Sequence, residues 1–278
     1  NHFHAAGGVG YLKHTLLRAG LLHDDVLTIS GRGLSGTLGE PMLRGDNLTW
    51  EEGTKVSHDR DVLRPADEPF AADGGLKVLH GPLGTGVIKV SAVAAEHRVV
   101  TAPALVFDDQ AEFLEAFADG RLDGVDFVAV IRYQGPAANG MPELHKLTPA
   151  LGVLQDRGQR VAIVTDGRMS GASGKVPAAI HVTPEAAVGG PLSRVRPGDV
   201  ITIDSERGLL DIDDAFALQQ RAPTGRAPQG EEWAGTGREL FAAFRATVGP
   251  ADAGASIFPA YAAPTQEVPR DVHSVQAV

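Results

Sequence analysis

Cysteine is absent from this 278-residue chain. Without thiols, these residues supply no disulfide, no zinc–thiolate site and no ligand to an iron–sulfur cluster. Aromatic residues are sparse at 5%, against 34 glycines and 18 prolines. That balance favours a turn-rich β or α/β fold over a helical bundle. Positive charge is also short: 25 Lys and Arg face 35 Asp and Glu, for a net charge of −10. A nucleic-acid partner, which needs a basic face, is not expected. No apolar run approaches the roughly 20 residues of a membrane span, so no membrane partner is expected either. The chain opens Asn1-His2-Phe3-His4, with neither a methionine nor a charged-then-apolar leader. A cytoplasmic piece of a longer product is the expectation. A hydrophobic content of 43% and a charged content of 22% fit a globular protein of one large or two modest domains.

The pattern along the chain is mixed α/β. Leu12, Leu16, Leu17 and Ala19 repeat at helical spacing over residues 10–20, with Gly20 as a C-cap. Residues 30–70 are rich in Gly, Pro, Asp and Glu and read as an irregular excursion. From Leu76 the texture changes. Residues 76–79 and 87–90 read as strands around a glycine-rich turn, Gly81 to Gly86, and 98–107 as extended chain. Asp109 caps a helix over 109–119. Residues 126–133 form a buried strand, 146–156 a helix and 160–165 another strand. Residues 199–204 and 208–212 form a hairpin. A linker over 221–230, a last helix over 238–248 and a loose tail follow. The middle is self-contained, whereas a lone helix with a long excursion cannot bury its own apolar face.

The stretch from Val164 to Ala186 holds the densest chemistry. After the 160–165 strand come Asp166-Gly167-Arg168-Met169-Ser170-Gly171-Ala172-Ser173-Gly174-Lys175. Glycines let a ligand approach the backbone closely, and Arg168 and Lys175 bring positive charge. On composition alone, a plain turn explains this stretch equally well. A P-loop is excluded: Met169 stands where its first glycine belongs, and Val176 follows Lys175 in place of Ser or Thr. No dinucleotide fingerprint is present. Arg168 breaks the Gly-x-Ser-x-Gly elbow around Ser170.

A second glycine-proline loop, Gly135 to Glu143, follows the other buried strand. If the two strands are neighbours, Glu143 and Ser170 share one pocket. A carboxylate there suits Mg²⁺, which prefers oxygen ligands, and a nearby metal lowers a serine's pKa. Glu143 read alone is more often a solvated loop carboxylate. His2, His4 and His181 are readable as surface or packed polar residues as well as ligands.

These motifs resemble the dihydroxy-acid/6-phosphogluconate dehydratase family. The 164–186 stretch is similar to one family signature and 135–143 to a second. Residues 1–8, 81–84 and 237–241 are similar to its 6-phosphogluconate branch. Members are about twice as long, so the resemblance implies a C-terminal part. It implies a swivelling β-barrel-like β/β/α domain over 74–215, similar to the mobile domain of aconitase. Residues 1–70 would end a truncated N-terminal α/β domain, and 216–278 would form a linker, final helix and tail. The implied activity is dehydration of 6-phosphogluconate to 2-keto-3-deoxy-6-phosphogluconate in the Entner–Doudoroff pathway. Ser170 would be the base and Glu143 a Mg²⁺ ligand. Apart from the resemblance, the charge and position of Arg168 and Lys175, with Ser173 beside them, assign these three to the substrate anion. The implied partners are a 4Fe–4S cluster on cysteines outside this chain, the N-terminal domain and a second copy in a homodimer. Two alternatives stay open: another hydroxy-acid dehydratase, and a catalytically silent binding fragment. Lacking cysteine, the chain alone is expected to be inactive.

Overall fold

A computed structural model of the chain describes residues 1–170, 174–225 and 239–258. The chain divides into two compact units, Asn1–Gly74 and Gly75–Val278.

The first unit has a small core of Ala6, Tyr11 and Leu63, built around helices α1 (His2–Ala5) and α2 (Gly8–Arg18). The 30–70 segment is more ordered than its composition suggests. Strand β1 (Leu27–Thr28) pairs with β2 (Gly31–Arg32), and β3 (Glu40–Arg44) pairs with β4 (Asn47–Glu51). Pairing of Arg44 with Asn47 leaves a two-residue turn, Gly45-Asp46, and Gly45 takes the φ of +62° that such a turn demands. Strand β4 is exposed along its length and β3 nearly so, although Asn47-Leu48-Thr49-Trp50-Glu51 alternates polar and apolar residues.

The second unit is a closed eight-stranded barrel of mixed direction. Its strands are β5 (Leu76–Gly81), β6 (Gly84–Lys89), β7 (Val99–Phe107), β8 (Phe127–Ile131), β9 (Val161–Thr165), β10 (Ala178–Thr183), β11 (Val200–Asp204) and β12 (Leu209–Ile212). They run around the barrel in the order β10-β6-β5-β12-β11-β7-β8-β9, and β9 pairs back on β10. Closure leaves no strand edge unpaired.

Strands β8 and β9 are buried at every position. Side chains alternate across a sheet, so each strand serves two cores. Val128, Val130, Ala162 and Val164 point into the barrel with Leu79, Ile88, Val100 and Ile203. Phe127, Ala129, Ile131, Val161 and Ile163 point outward, under helices α3 (Gln110–Ala118) and α5 (Leu147–Asp156). Phe113 of α3 and Leu151 of α5 are fully buried there, each contributing about 1.5–3 kcal/mol of burial. An eight-stranded barrel is only wide enough to be filled by its own side chains. The interior is therefore core, and chemistry is left to the rim.

Three details differ from the sequence reading. The Gly81–Gly86 stretch is not a long turn: only Pro82 and Leu83 connect β5 to β6. The glycines sit in the strands because neighbouring backbones approach closely. A Cβ on Gly81 would lie 1.9 Å from the Leu210 carbonyl oxygen. Strand β10, which closes the barrel, had no place in the reading. Nor did helix α6 (Ala215–Gln220), capped by Asp214, whose carboxylate accepts from Ala217 N–H at 2.8 Å. The Asp109 cap is present: its carboxylate accepts from Ala111 N–H at 2.7 Å and Glu112 N–H at 3.0 Å. Of the last helix, α7 covers Ala242–Thr247, and the start expected at 238 lies outside the described residues.

Candidate functional site

Strands β8 and β9 are parallel neighbours, with Ile131 opposite Thr165, so their following loops leave the same rim. The first loop runs through the short helix α4 (Pro136–Asn139) to Glu143. The second holds Arg168 and Ser170. The loops join at a bridge between Glu143 and Arg168, where Leu144 N–H donates to the Arg168 carbonyl at 3.2 Å.

Side chains tighten this junction. Glu143 Oε1 accepts from Ser170 N–H at 2.6 Å, and Oε2 accepts from Arg168 Nη1 at 3.0 Å. Arg168 Nε donates to the Met141 carbonyl at 2.7 Å. Glu143 is thus not a freely solvated loop carboxylate; its side chain is 28% exposed. Ser170 itself is exposed. Charge-assisted bonds to a carboxylate are roughly twice as strong as neutral ones, so Glu143 holds Ser170's backbone where it stands.

Three buried or half-buried residues around these loops carry positive φ without being glycine: Tyr133 (+61°), Met141 (+53°) and His181 (+56°). Such geometry costs of order 1–3 kcal/mol per residue and persists where surroundings enforce it. His181 donates its N–H to the Gly167 carbonyl at 2.9 Å. Burial, and then the charge of Arg168, hold its imidazole below its usual pKa, favouring a neutral ring.

Two carboxylates behind the loops escaped the sequence reading. Asp166 is fully buried and accepts from Gln134 N–H at 2.8 Å, Ala186 N–H at 2.9 Å and Tyr133 N–H at 3.2 Å. Burial pushes its carboxyl up to about 6, against the pull of those three donors. Glu185 accepts from Ala137 N–H at 2.8 Å and Ala138 N–H at 3.1 Å. The available signal was position: Asp166 stands directly after β9, and Glu185 two residues after β10.

The predicted site residues are therefore distributed unevenly. Ser170, Glu143 and Arg168 come together. Lys175 instead pairs with Asp156 at the end of α5. Ser173 lies outside the described residues. Ser170 lines a hollow of only about 40 Å³, with Lys89, Met169 and Val176 among its walls. A larger hollow of about 720 Å³ lies beside the Glu143 loop, between Pro136, Met141 and Pro142 on one side and Phe241, Phe244 and Arg245 on the other. Neither Ser170 nor Glu143 lines it, so it is not where these two groups act. Small-molecule sites usually need about 300 Å³ or more. Among the described residues, the walls around Ser170 do not enclose a substrate by themselves.

Residues 61–255 match the dihydroxy-acid/6-phosphogluconate dehydratase C-terminal domain. The chain belongs to the dihydroxy-acid/6-phosphogluconate dehydratase family. Within that family it is 56% identical over 258 residues to a phosphogluconate dehydratase of Pseudomonas aeruginosa, covering 93% of this chain and 42% of that protein. It is 51% identical over 260 residues to the phosphogluconate dehydratase of Escherichia coli, covering 92% of this chain and 42% of that protein. A dihydroxy-acid dehydratase of Sulfurisphaera tokodaii is 39% identical over 213 residues, covering 76% of this chain and 35% of that protein. The chain thus spans less than half the length of these curated relatives.

The residues present can be tested against a hard divalent cation and an iron–sulfur cluster. Glu143 is a hard oxygen donor at the rim, and two donors on its carboxylate leave lone pairs for a cation. A cation of the Mg²⁺ class needs about six oxygens. Among the described residues no group of three or more His, Cys, Asp or Glu side chains converges. An iron–sulfur cluster does not fit this chain, which has no thiolate. No described helix is long and apolar enough to cross a membrane.

Proposed function

We propose that this chain is the C-terminal part of a phosphogluconate dehydratase and supplies one half of its active site. The observation that carries the reading is the junction of the two loops, where Glu143 binds Ser170 N–H and the Arg168 guanidinium. The reaction class is loss of water from 6-phosphogluconate. The C2–H and C3–O bonds break, a C2–C3 double bond forms, and the enol becomes 2-keto-3-deoxy-6-phosphogluconate. Nothing is oxidised or reduced overall.

In this reading Ser170 Oγ receives the C2 proton and Glu143 fixes the serine's backbone. The Arg168 guanidinium lies at the same junction and favours negative charge on Ser170 and on the substrate carboxylate. Glu143 would also offer one oxygen to Mg²⁺, whose role when bound is to lower the serine's pKa; its other ligands come from outside this chain. Lys175 and Ser173 contribute to anion binding. The Lys175–Asp156 pair is half-exposed, with side chains 51% and 66% accessible. Such a pair is worth about 1 kcal/mol or less and is readily given up for a phosphate.

The leaving hydroxyl needs activation that this chain lacks, and we assign it to a cluster of the 4Fe–4S type on upstream cysteines. The organisation follows: residues 1–70 complete an N-terminal α/β domain, 74–215 form a swivelling barrel like the mobile domain of aconitase, and 216–278 are the linker, last helix and tail. A homodimer acting in the cytoplasm, in the Entner–Doudoroff pathway, completes the proposal. Among the described residues the hollow at Ser170 is small, which supports the half-site reading.

The test compares substrates with the full-length parent protein and with this chain alone. The parent should turn over 6-phosphogluconate in preference to dihydroxyisovalerate, and the isolated chain neither. Preference for dihydroxyisovalerate would assign another hydroxy acid, and turnover by the isolated chain would refute the half-site.

A further inference from the structure

Behind Ser170 and Glu143, on the side away from the rim, the two loops are tied by carboxylates instead of by strand pairing. Asp166 is the first residue after β9. Its Oδ1 accepts from Gln134 N–H, and its Oδ2 accepts from both Tyr133 and Ala186 N–H. Three chain segments therefore converge on one side chain: the end of β8, the end of β9 and the turn after β10. Glu185, next to Ala186, grips the first turn of α4 through Ala137 and Ala138. The circuit closes, because α4 leads to Glu143, and Glu143 binds back to Arg168 and Ser170, which follow Asp166.

We propose that Asp166 and Glu185 are positioning residues, a two-carboxylate brace that sets the register between the Glu143 loop and the Ser170 loop. Neither touches the reacting atoms. The kinetic part of this inference rests on the dehydratase reading; the structural part does not.

Four observations support a positioning role over a packing one. First, the backbone at Tyr133 is in the left-handed region, yet its side chain is 1% exposed. Asp166 accepts the N–H of this residue and of the next, so it enforces the strained turn where the first loop begins. Second, space has been cleared for the brace. A Cβ on Gly135 would lie 2.2 Å from Glu185 Oε2, and one on Gly167 would lie 2.7 Å from Gln134 Cβ. Third, the Gln134 side chain extends the brace: Nε2 donates to the Asp108 carbonyl at 2.9 Å and Oε1 accepts from Asn139 at 3.1 Å. Fourth, an ionised carboxylate in this buried place costs folding free energy at neutral pH, as the upward displacement of Asp166 indicates. A residue kept for stability alone would not carry that burden.

The experiment uses the full-length parent protein with Asp166→Asn and Glu185→Gln, steady-state kinetics and amide hydrogen exchange. An amide side chain keeps the shape but has one acceptor oxygen where the carboxylate has two. In Asp166→Asn, exchange at Tyr133, Gln134 and Ala186 should accelerate while β5, β11 and β12 stay protected. kcat for 6-phosphogluconate should fall about 100-fold with KM nearly unchanged, as expected when reacting groups are misplaced by about 1 Å. Glu185→Gln should expose Ala137 and Ala138 and lower kcat less. Unchanged exchange at these amides, unchanged kcat, or loss of protection throughout the barrel would each overturn the brace. If Asp166→Asn does not fold, Glu185→Gln decides by the same criteria. If the unaltered parent does not act on 6-phosphogluconate, the substrate reading falls, and the exchange pattern still decides the brace.

Discussion

Asp166 makes a quantitative prediction about stability and pH. The perturbation is Asp166→Asn, which removes the titration while keeping the shape. In the folded chain the carboxyl titrates at about 6, against an ordinary value of 3.8. Burial is the main cause; Glu185 nearby adds to it, and three backbone N–H groups oppose it. Between these two values the folded state holds a proton that the unfolded state has released. Stability attributable to this group is therefore full below about pH 3.8 and is lost as pH rises through about 6. At 1.36 kcal/mol for each pKa unit, the loss is about 3 kcal/mol. The assay is urea unfolding followed by far-UV circular dichroism, on the chain and its Asn variant, from pH 4 to 7. Taking the difference between them removes every other titrating group. Part of that loss is already complete at pH 4, so the stability of the unaltered chain relative to Asp166→Asn should fall by about 2 kcal/mol across that window. A flat difference would refute the account of Asp166 as a desolvated carboxylate. A difference that rises with pH would mean that its hydrogen bonds outweigh its burial.

Two further predictions concern the loops. Gly135→Ala places a methyl 2.2 Å from Glu185 Oε2, so Glu185 must leave α4. Overpacking of this kind costs about 1–3 kcal/mol, read as a lowered urea midpoint; an unchanged midpoint would contradict the close approach. Arg168→Gln breaks an ion pair whose side chains are 51% and 28% exposed, so the midpoint should move by less than about 1 kcal/mol. In the parent protein the same change should lower turnover about 10–100-fold, because Glu143 loses the partner that orients it. Parallel losses of stability and turnover would mark Arg168 as structural only.

How far the sequence could be read depended on how locally each feature is encoded. Strands β8 and β9 were legible because two cores demand apolar residues at consecutive positions. The Asp109 cap was legible because its bonds run to the next turn of chain. Glu143 and Ser170 were legible as candidates, and their meeting followed once β8 and β9 proved to be neighbours. Strand β10 was not legible: it is short, broken in register between Ile180 and Thr183, and held by β6 and β9 from distant chain. The glycines of β5 and β6 imitated a turn, although close approach of the neighbouring strands' backbones is what demands them. Asp166 stood in plain sight within the motif. Its role was hidden because all three donors come from residues at least 20 positions away.

The central claim is that Ser170 performs proton removal at the Glu143–Arg168 junction. The most direct measurement is Ser170→Ala in the full-length parent protein. It follows both formation of the 2-keto product and exchange of the C2 proton of 6-phosphogluconate with solvent deuterium. The account predicts that both are lost, by about 100-fold or more, while the urea midpoint is unchanged, because Ser170 contributes its backbone N–H to Glu143 whatever its side chain. C2 exchange at the unaltered rate in Ser170→Ala would contradict it.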